Sequence, residues 1–523
     1  MSDPAIETIF SAEELQLLDQ ISADAEAHNR TSVYNVPGYA PVSHETRHVP
    51  VKVSGQLPKD LRGVYLRNGA NARFKKTMSR AHAFNGAGML HQVQIGDGEV
   101  TYSNVFVRTP RDAFEEKVGR EIYPQFSDLA NGATRQQPKL KLIESKKAQG
   151  AIPNLTPLEL STASTAVQMH KGKLYCLNET AFPFVLNTRE VEGRLVIDGT
   201  GRLETWDGKL QSPFSAHPRI DPKNGTFYNV SIHRQNGGIF YSRLEDGDLK
   251  DHQLIHQQEG AGGWMAYLHD YIVSENHVIF PDPSLRSDRS RIGQEESIYY
   301  FDAGYKMRWG VLPRYPKAGD TVRWFETNEP GFIWHMVNGW QQTGKDGHKQ
   351  IVLFAPLFKN YQAGVPIHSP EEGHGKLHKW VLDLETGAVE ARQLLDGAFE
   401  RPSINPARSG LPCRYVYLLD ESSGYMGKGV LKYDLQEERE VGYLNYGDAL
   451  GGEALFVPRE GASAEDDGYL VDLLMKENEA ALVVFSAATL QELARIQLPA
   501  RVPFGVHACW LDPQCLSGMR HGE

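Results

Sequence analysis

Along most of the chain, hydrophobic and polar residues alternate in short segments broken by turns of Gly, Asn and Asp. The stretches VQIGDGEVTYSNVFV (93–107), VQMHKGKLYCL (167–177), GTFYNVSI (225–232) and LVVFSAATLQELARIQL (482–498) show the pattern. A period of two is what a strand with one buried face requires, and closely spaced turn signals indicate a sandwich, barrel or propeller. The pattern runs from about residue 46 to the end with no strong linker, which predicts one closed all-β structure. A β-propeller suits that length, because radial repetition leaves only short, protected strand edges. No WD or kelch repeat is visible, so the number of sheets does not follow from periodicity. The N-terminus differs. Residues 11–28 place Leu15, Leu17, Leu18 and Ile21 near helical spacing, and Ser11 followed by Glu14 forms a capping-box pattern. The expected organisation is therefore a helix and arm over 1–45 and a single propeller domain over 46–523. Two segments interrupt the strands, 126–160 and 358–378; both are long for hairpin connections and read either as functional excursions from a rigid scaffold or as variable surface loops.

Composition narrows this picture. The 523 residues are 40% hydrophobic and include 8 Trp, 22 Tyr and 21 Phe, which excludes disorder and supports a large core. A formal charge of −11 gives no electrostatic footprint for nucleic acid. The four cysteines, Cys176, Cys413, Cys509 and Cys515, form no Cys-x-x-Cys pair and read as buried small hydrophobes. The first residues show neither a basic nor an apolar leader region, so the expected location is cytoplasmic. Peripheral contact with a membrane through the N-terminal helix stays open as an alternative, although its acidic polar face disfavours anionic lipid. No protein partner is implied.

No Walker A pattern, Gly-x-Ser-x-Gly elbow, His-Glu-x-x-His or EF-hand loop occurs, and GYMGKG (424–429) lacks P-loop spacing and reads as a turn. The candidate chemistry lies in the 19 histidines. His44, His252, His256, His348, His374, His378 and His521 have polar neighbours and read as solvated. Four others sit among aromatic and aliphatic residues in separate quarters of the β region: His217 (SPFSAHPRIDP), His269 (MAYLHDYIVSE), His335 (GFIWHMVNGW) and His507 (RVPFGVHACWL). Burying an imidazole is costly unless its nitrogens are paired or bound to a metal. In a propeller, strands distant in sequence converge on the axis, so these four are either separate hydrogen-bonded core histidines or one metal cluster.

These four segments resemble the iron-binding segments of the carotenoid cleavage oxygenase family. So do GVYLRNGANARF (63–74), HAFNGAGMLHQV (82–93), TYSNVFVRTP (101–110), GVLPRY (310–315) and EALFVPRE (453–460), in the family's order from about residue 46 to 514. GVLPRY with VRWFE, and RVPFGVHA, are similar to the plant-type cleavage dioxygenases. The resemblance implies a seven-bladed β-propeller capped by helices and loops over the active-site face, with Fe(II) on its axis held by His217, His269, His335 and His507. It further implies that Glu179 (CLNETAFP), Glu400 (AFERPSIN) and Glu453 (GGEALFVP) pair with His269, His335 and His507, while His217 has no carboxylate partner. Thr165 (STASTAV) would narrow one open iron position. The implied reaction uses O₂ to split a conjugated C=C bond into two carbonyl products, with no acid–base side chain required.

The substrate expected from the resemblance is a carotenoid or apocarotenoid. The alternative is a stilbenoid or phenylpropenoid alkene, or, in another reaction class, a retinoid-type isomerisation. Stilbene-cleaving relatives engage a phenol through a Lys and a Tyr; this chain has Asn178 at the Lys position and Ile122 or Tyr123 near the Tyr position. Phe182, Phe184, Trp264, Phe332, Trp334 and Phe504 are candidates for lining a polyene tunnel. The family's Asp-Gly-Asp-Gly turn reads Asn85-Gly86-Ala87-Gly88 here and is taken as structural.

Overall fold

A computed structural model describes residues 4–32, 34–74, 77–96, 98–130, 132–258, 264–295, 297–361 and 374–519. The predicted period of two is realised as antiparallel strands whose inward residues form the core. Among the described residues there are seven sheets of four or five strands and one small sheet of three. Most larger sheets are simple meanders, for example Ala166–His170, Lys173–Leu177, Phe184–Val191 and Arg194–Leu203. Two sheets join the ends of the chain. The late strand Ala508–Leu511 pairs with Gly63–Asn71, with Val64 opposite Leu511, and the early strand Lys52–Gly55 pairs with Glu492–Gln497. Each junction converts an edge that would invite foreign pairing into an internal ladder. Apolar clusters fill the spaces between neighbouring sheets. One joins Ile272, Trp309 and Phe325 of one sheet to Leu353 and Trp380 of the next.

The helices gather in one cap. They are α1 (Pro4–Ile9), α2 (Ala12–Asn29), α3 (Pro110–Val118), α4 (Ser127–Ala130), α5 (Ala133–Ala148) and, apart from these, the C-terminal α6 (Pro513–Ser517). The predicted capping box on α2 is present in both directions, Ser11 N–H to Glu14 Oε2 at 2.7 Å and Glu14 N–H to Ser11 Oγ at 3.2 Å. Segment 126–160, expected to be an excursion, is largely helical, and its basic run belongs to α5. Basic residues of α5, within and just before the KLKLIESKK stretch (139–147), meet acidic residues of α2: Lys146 Nζ lies 2.7 Å from Glu14 and Arg135 Nε 3.1 Å from Asp24. Phe10, Leu18 and Ile21 pack with Val118, Ile122, Ile143 and Ile152 in one cluster. The acidic face of α2 therefore serves the cap. Among the described residues no helix is long and apolar enough to cross a membrane.

Two further sequence readings need correction. His378 is buried in a strand, where it stacks on Trp380 and its Nδ1 meets the Lys376 carbonyl at 2.6 Å. The Lys and Gly around it concealed a strand whose inner face it occupies. Cys515 is only partly buried, in α6, while Cys176, Cys413 and Cys509 are buried as expected; all four are free. Of segment 358–378, residues 362–373 lie outside the described residues, as does His521.

Candidate metal centre and cavity

The four histidines singled out from sequence meet at one point, with one ring-nitrogen donor from each within 4.8 Å of the others. Their positions follow a rule. Each lies at or just before the start of an edge strand: His217 before Arg219–Ile220, His269 before Ile272–Val273, His335 before Asn338–Thr343 and His507 before Ala508–Leu511. The edge strands of the other three large sheets contribute at the same level, Thr165 before Ala166–His170, Glu400 within Phe399–Ser403 and Glu453 before Leu455–Pro458. Seven sheets thus deliver seven of the eight predicted site residues, and Glu179 comes from the turn after Lys173–Leu177.

Local geometry fixes the rings. His269 Nδ1 is bonded to Glu179 and His335 Nδ1 to Glu400, while His507 Nδ1 lies 3.4 Å from Glu453. The backbone N–H of Ala508 also donates to Glu453, at 3.1 Å. A carboxylate on Nδ1–H sets the tautomer that leaves the Nε2 lone pair free. Among the described residues no carboxylate pairs with His217, whose backbone N–H is held by Ser215 Oγ at 3.0 Å. Asp270 clasps three of the four ligand segments. Its carboxylate accepts from Arg219 at 2.6 Å, from Tyr271 N–H at 2.7 Å and from Met336 N–H at 2.8 Å. The His507 segment is brought in by close backbone approach. Gly505 crosses Gly69, where a Cβ on Gly69 would stand 2.6 Å from the Gly505 Cα, and Asn68 N–H donates to His507 O at 3.0 Å.

The donor set fits a metal ion. His217 Nε2 lies 3.0 Å from His269 Nε2, which lies 3.3 Å from His335 Nε2. About 3.0 Å is the spacing of two nitrogens at right angles around an ion bound at roughly 2.1 Å. His507 Nε2 is buried without a hydrogen-bond partner, an orphaned lone pair that a metal would satisfy. Burial, with the neighbouring imidazoles adding to it, lowers His217 and His335 well below the usual histidine range and keeps them neutral donors. The carboxylates differ. Burial raises Glu179, but His269, Arg234 and the Tyr267 hydroxyl outweigh it and hold the group at about 2. Glu400 is raised, because burial outweighs the Arg401 backbone N–H and the charges of Arg401 and His269, which act to lower it.

His269 and His335 open onto a cavity of about 760 Å³, whose wall also includes Thr165, Glu179 and Glu400. Trp334 stands edge-on to His269 with ring centroids 4.6 Å apart. From there an aromatic wall runs through Phe84, Phe126, Tyr267 and Tyr299, with Tyr425 and Phe504 beyond Phe84. Of the predicted tunnel residues, Trp334 and Phe504 line the cavity and Phe332 packs behind Trp334 at 5.0 Å. Phe182 and Phe184 instead belong to sheet cores, and the Trp264 side chain lies outside the described residues. Adjacency to a metal motif misled here, because alternate strand residues face opposite sides. The wall residues Phe84, Phe126, Tyr267, Tyr299 and Tyr425 were missed. Phe84 belongs to the Asn85-Gly86-Ala87-Gly88 turn, which Asn85 ties to Ser127 Oγ at 2.8 Å, and Tyr425 to the Gly-rich turn at 424–429. Tyr123 also lines the cavity and donates to Pro153 O at 2.8 Å, while Asn178 donates to Thr162 Oγ1 at 3.0 Å.

Fold and site together define a β-sheet protein with a four-imidazole centre opening into an aromatic cavity. The chain belongs to the family described as retinal pigment epithelial membrane protein, the carotenoid cleavage oxygenases, whose family model matches residues 39–512. It is 30% identical, over 97% of its length and 95% of the relative's, to carotenoid 9,10(9′,10′)-cleavage dioxygenase 1 of Arabidopsis thaliana. It is 31% identical, over 91% and 89%, to the Crocus sativus carotenoid 9,10(9′,10′)-cleavage dioxygenase. Among solved structures, the Pseudomonas brassicacearum lignostilbene dioxygenase superposes with a TM-score of 0.77 at 25% identity, covering 92% of this chain and 98% of that one. A variant of the Synechocystis apocarotenoid oxygenase shares the fold, with a TM-score of 0.75 at 23% identity over 91% and 98%.

Proposed function

We propose that the protein is a non-haem Fe(II)-dependent dioxygenase that splits a conjugated C=C bond of a carotenoid or apocarotenoid into two carbonyl products. The observation that carries this reading is the convergence of His217, His269, His335 and His507 beside an aromatic cavity. The scaffold is read as a seven-bladed β-propeller with the iron on its axis. Seven sheets whose edge strands converge on one site, and a late strand paired into the first sheet, support that reading.

In this assignment the four histidines hold the metal through Nε2, and Glu179, Glu400 and Glu453 accept the Nδ1 protons of His269, His335 and His507. Four neutral imidazoles add no charge to a ferrous ion and leave positions open. Bound iron would supply the redox chemistry toward O₂. The chain supplies position and exclusion of water. Trp334 seals the His269 side, the aromatic wall aligns a long flat alkene, and Thr165 narrows access to the centre. No side chain need move a proton to the alkene.

Relatives named as carotenoid 9,10(9′,10′)-cleavage dioxygenases support a polyene substrate. One second reading, a stilbenoid or phenylpropenoid alkene, draws support from Tyr123 on the cavity wall and from the lignostilbene dioxygenase structure. Asn178 opposes it, since an amide cannot offer the cation that would stabilise a phenolate. Metal analysis of purified protein tests the central assignment. About one iron per chain, lost together with alkene cleavage in His335→Ala, is expected; folded protein that binds no iron overturns it. Isomerised alkene without O₂ uptake would move the protein to the isomerase class.

A further inference from the structure

Several polar groups outside the metal centre line the cavity, and one of them, Arg401, presents two bare donors. Arg401 is 3% exposed and follows Glu400 in the edge strand Phe399–Ser403. Its Nε donates to Glu421 Oε1 at 2.7 Å, but Nη1 and Nη2 are both buried with no hydrogen-bond partner. Buried guanidinium donors are rarely left bare, because each forfeits its water without replacement. The backbone is arranged to present this group. Glu400 faces Leu419 and Ser403 faces Tyr417, so two residues on this strand oppose one on its partner, and Arg401 takes a left-handed φ of +42°. Successive strand residues normally point to opposite sides; this bulge lets Glu400 and Arg401 line the same cavity.

The surroundings define what would satisfy it. The Arg401 guanidinium carbon lies 5.5 Å from the Phe504 ring centroid, with Tyr425 6.0 Å from Phe504. From Tyr425 the wall continues by ring contacts to Phe84 at 5.8 Å, Phe126 at 5.4 Å and Tyr299 at 5.8 Å, toward the cap. Trp334 touches Phe84 at 6.3 Å and His269 at 4.6 Å. The run of rings from Tyr425 to Tyr299 is largely apolar, and the two bare Arg401 donors stand at its Phe504 end. A guanidinium only donates, so its partner must be an acceptor. Glu421 balances the charge, so a neutral oxygen is enough.

We infer that Arg401 recognises an oxygen-bearing terminus of the substrate, a carbonyl or carboxylate, and selects oxygen-ended polyenes over hydrocarbon-ended ones. The inference rests on the reading that the cavity holds the alkene. Arg401 acts as a specificity residue, with Glu421 and the bulge holding it in place.

The test is a binding titration of the full-length protein, followed by quenching of tryptophan fluorescence. The probes are a polyene aldehyde, the matching acid and a hydrocarbon of equal conjugated length. Wild type is expected to bind the aldehyde and the acid at least about tenfold tighter than the hydrocarbon. In Arg401→Met that ratio is expected to fall to about one. A purely structural role would weaken all three ligands together and preserve the ratio, and that result overturns the inference. Arg401→Met leaves Glu421 buried without its cation, so the double variant Arg401→Met/Glu421→Gln, which removes both charges, is measured in parallel against the same ratio. Equal wild-type binding of all three probes overturns the role of Arg401 alone. Failure of wild type to bind any of them overturns the alkene-cleavage reading on which it rests.

Discussion

At the scale of single residues, the site depends on groups that never meet the reacting atoms. Asp270 is the clearest. It is 1% exposed, and its carboxylate joins the segments carrying His217, His269 and His335 through Arg219, Tyr271 and Met336. Asp270→Ala leaves Arg219 without its anion and two buried N–H groups unpaired. The expected loss is about 3–5 kcal/mol in denaturant unfolding, with reduced iron occupancy in the purified protein. Nothing in the sequence marked Asp270, because a carboxylate beside a candidate ligand looks like any other; its role needs three loops brought together. His82 sets an acid limit. It is buried against Tyr34, Phe84 and Phe126, and its Nδ1 accepts from Phe84 N–H at 3.1 Å. Burial lowers it to about 3, against an ordinary value of 6.5. The unfolded chain therefore takes up this proton first. The stability tied to neutral His82 is complete above about pH 6.5 and declines as the pH falls toward 3, by on the order of 5 kcal/mol in total. His82→Phe is expected to flatten this acid limb in unfolding measured across that range.

At the scale of elements, the cap is an electrostatic match between two helices that look unrelated in sequence. From sequence, only the acidic N-terminal helix offers peripheral membrane contact, and segment 126–160, which holds the basic run of α5, reads as an excursion from the scaffold. In the fold they are partners, with Lys146 on Glu14 and Arg135 on Asp24. Lys146 is well buried and Glu14 partly so, which makes this the stronger pair. Lys146→Glu is expected to cost about 1 kcal/mol and to increase proteolytic cutting near α2, and adding Glu14→Gln, which removes the like charge and keeps an acceptor for the Ser11 N–H, should restore part of the protection. The strands were more legible than the helices. Period-two alternation survives in strands whichever sheet they join, whereas the KLKLIESKK run carries its helical period on a face that supplies both charge and core. The same limit explains the tunnel residues. A strand's inward face can be read from its alternation, but which aromatic residues meet across separate turns cannot.

At the scale of the whole molecule, seven sheets place one residue each near a common point, and the metal would tie them together. Such a ligand should act as a global fastener. Saturating iron is expected to raise the thermal midpoint of wild type, corresponding to about 2.7 kcal/mol at one hundred times the dissociation constant. His335→Ala should show little shift. The four histidines were legible because an imidazole in an apolar, strand-like segment is unusual, and four in separate quarters of one closed β structure can converge. Their carboxylate partners were recognisable only through resemblance, since a glutamate in a turn carries no such mark. Arg401 was not legible at all, because its exposure to the cavity depends on a bulge. Dioxygenase cleavage stands or falls on one measurement: turnover of a polyene aldehyde by iron-loaded protein under ¹⁸O₂, with the products analysed by mass spectrometry. It predicts two carbonyl products, each carrying label from O₂. Unlabelled products, or an isomerised polyene with no O₂ consumed, would contradict it.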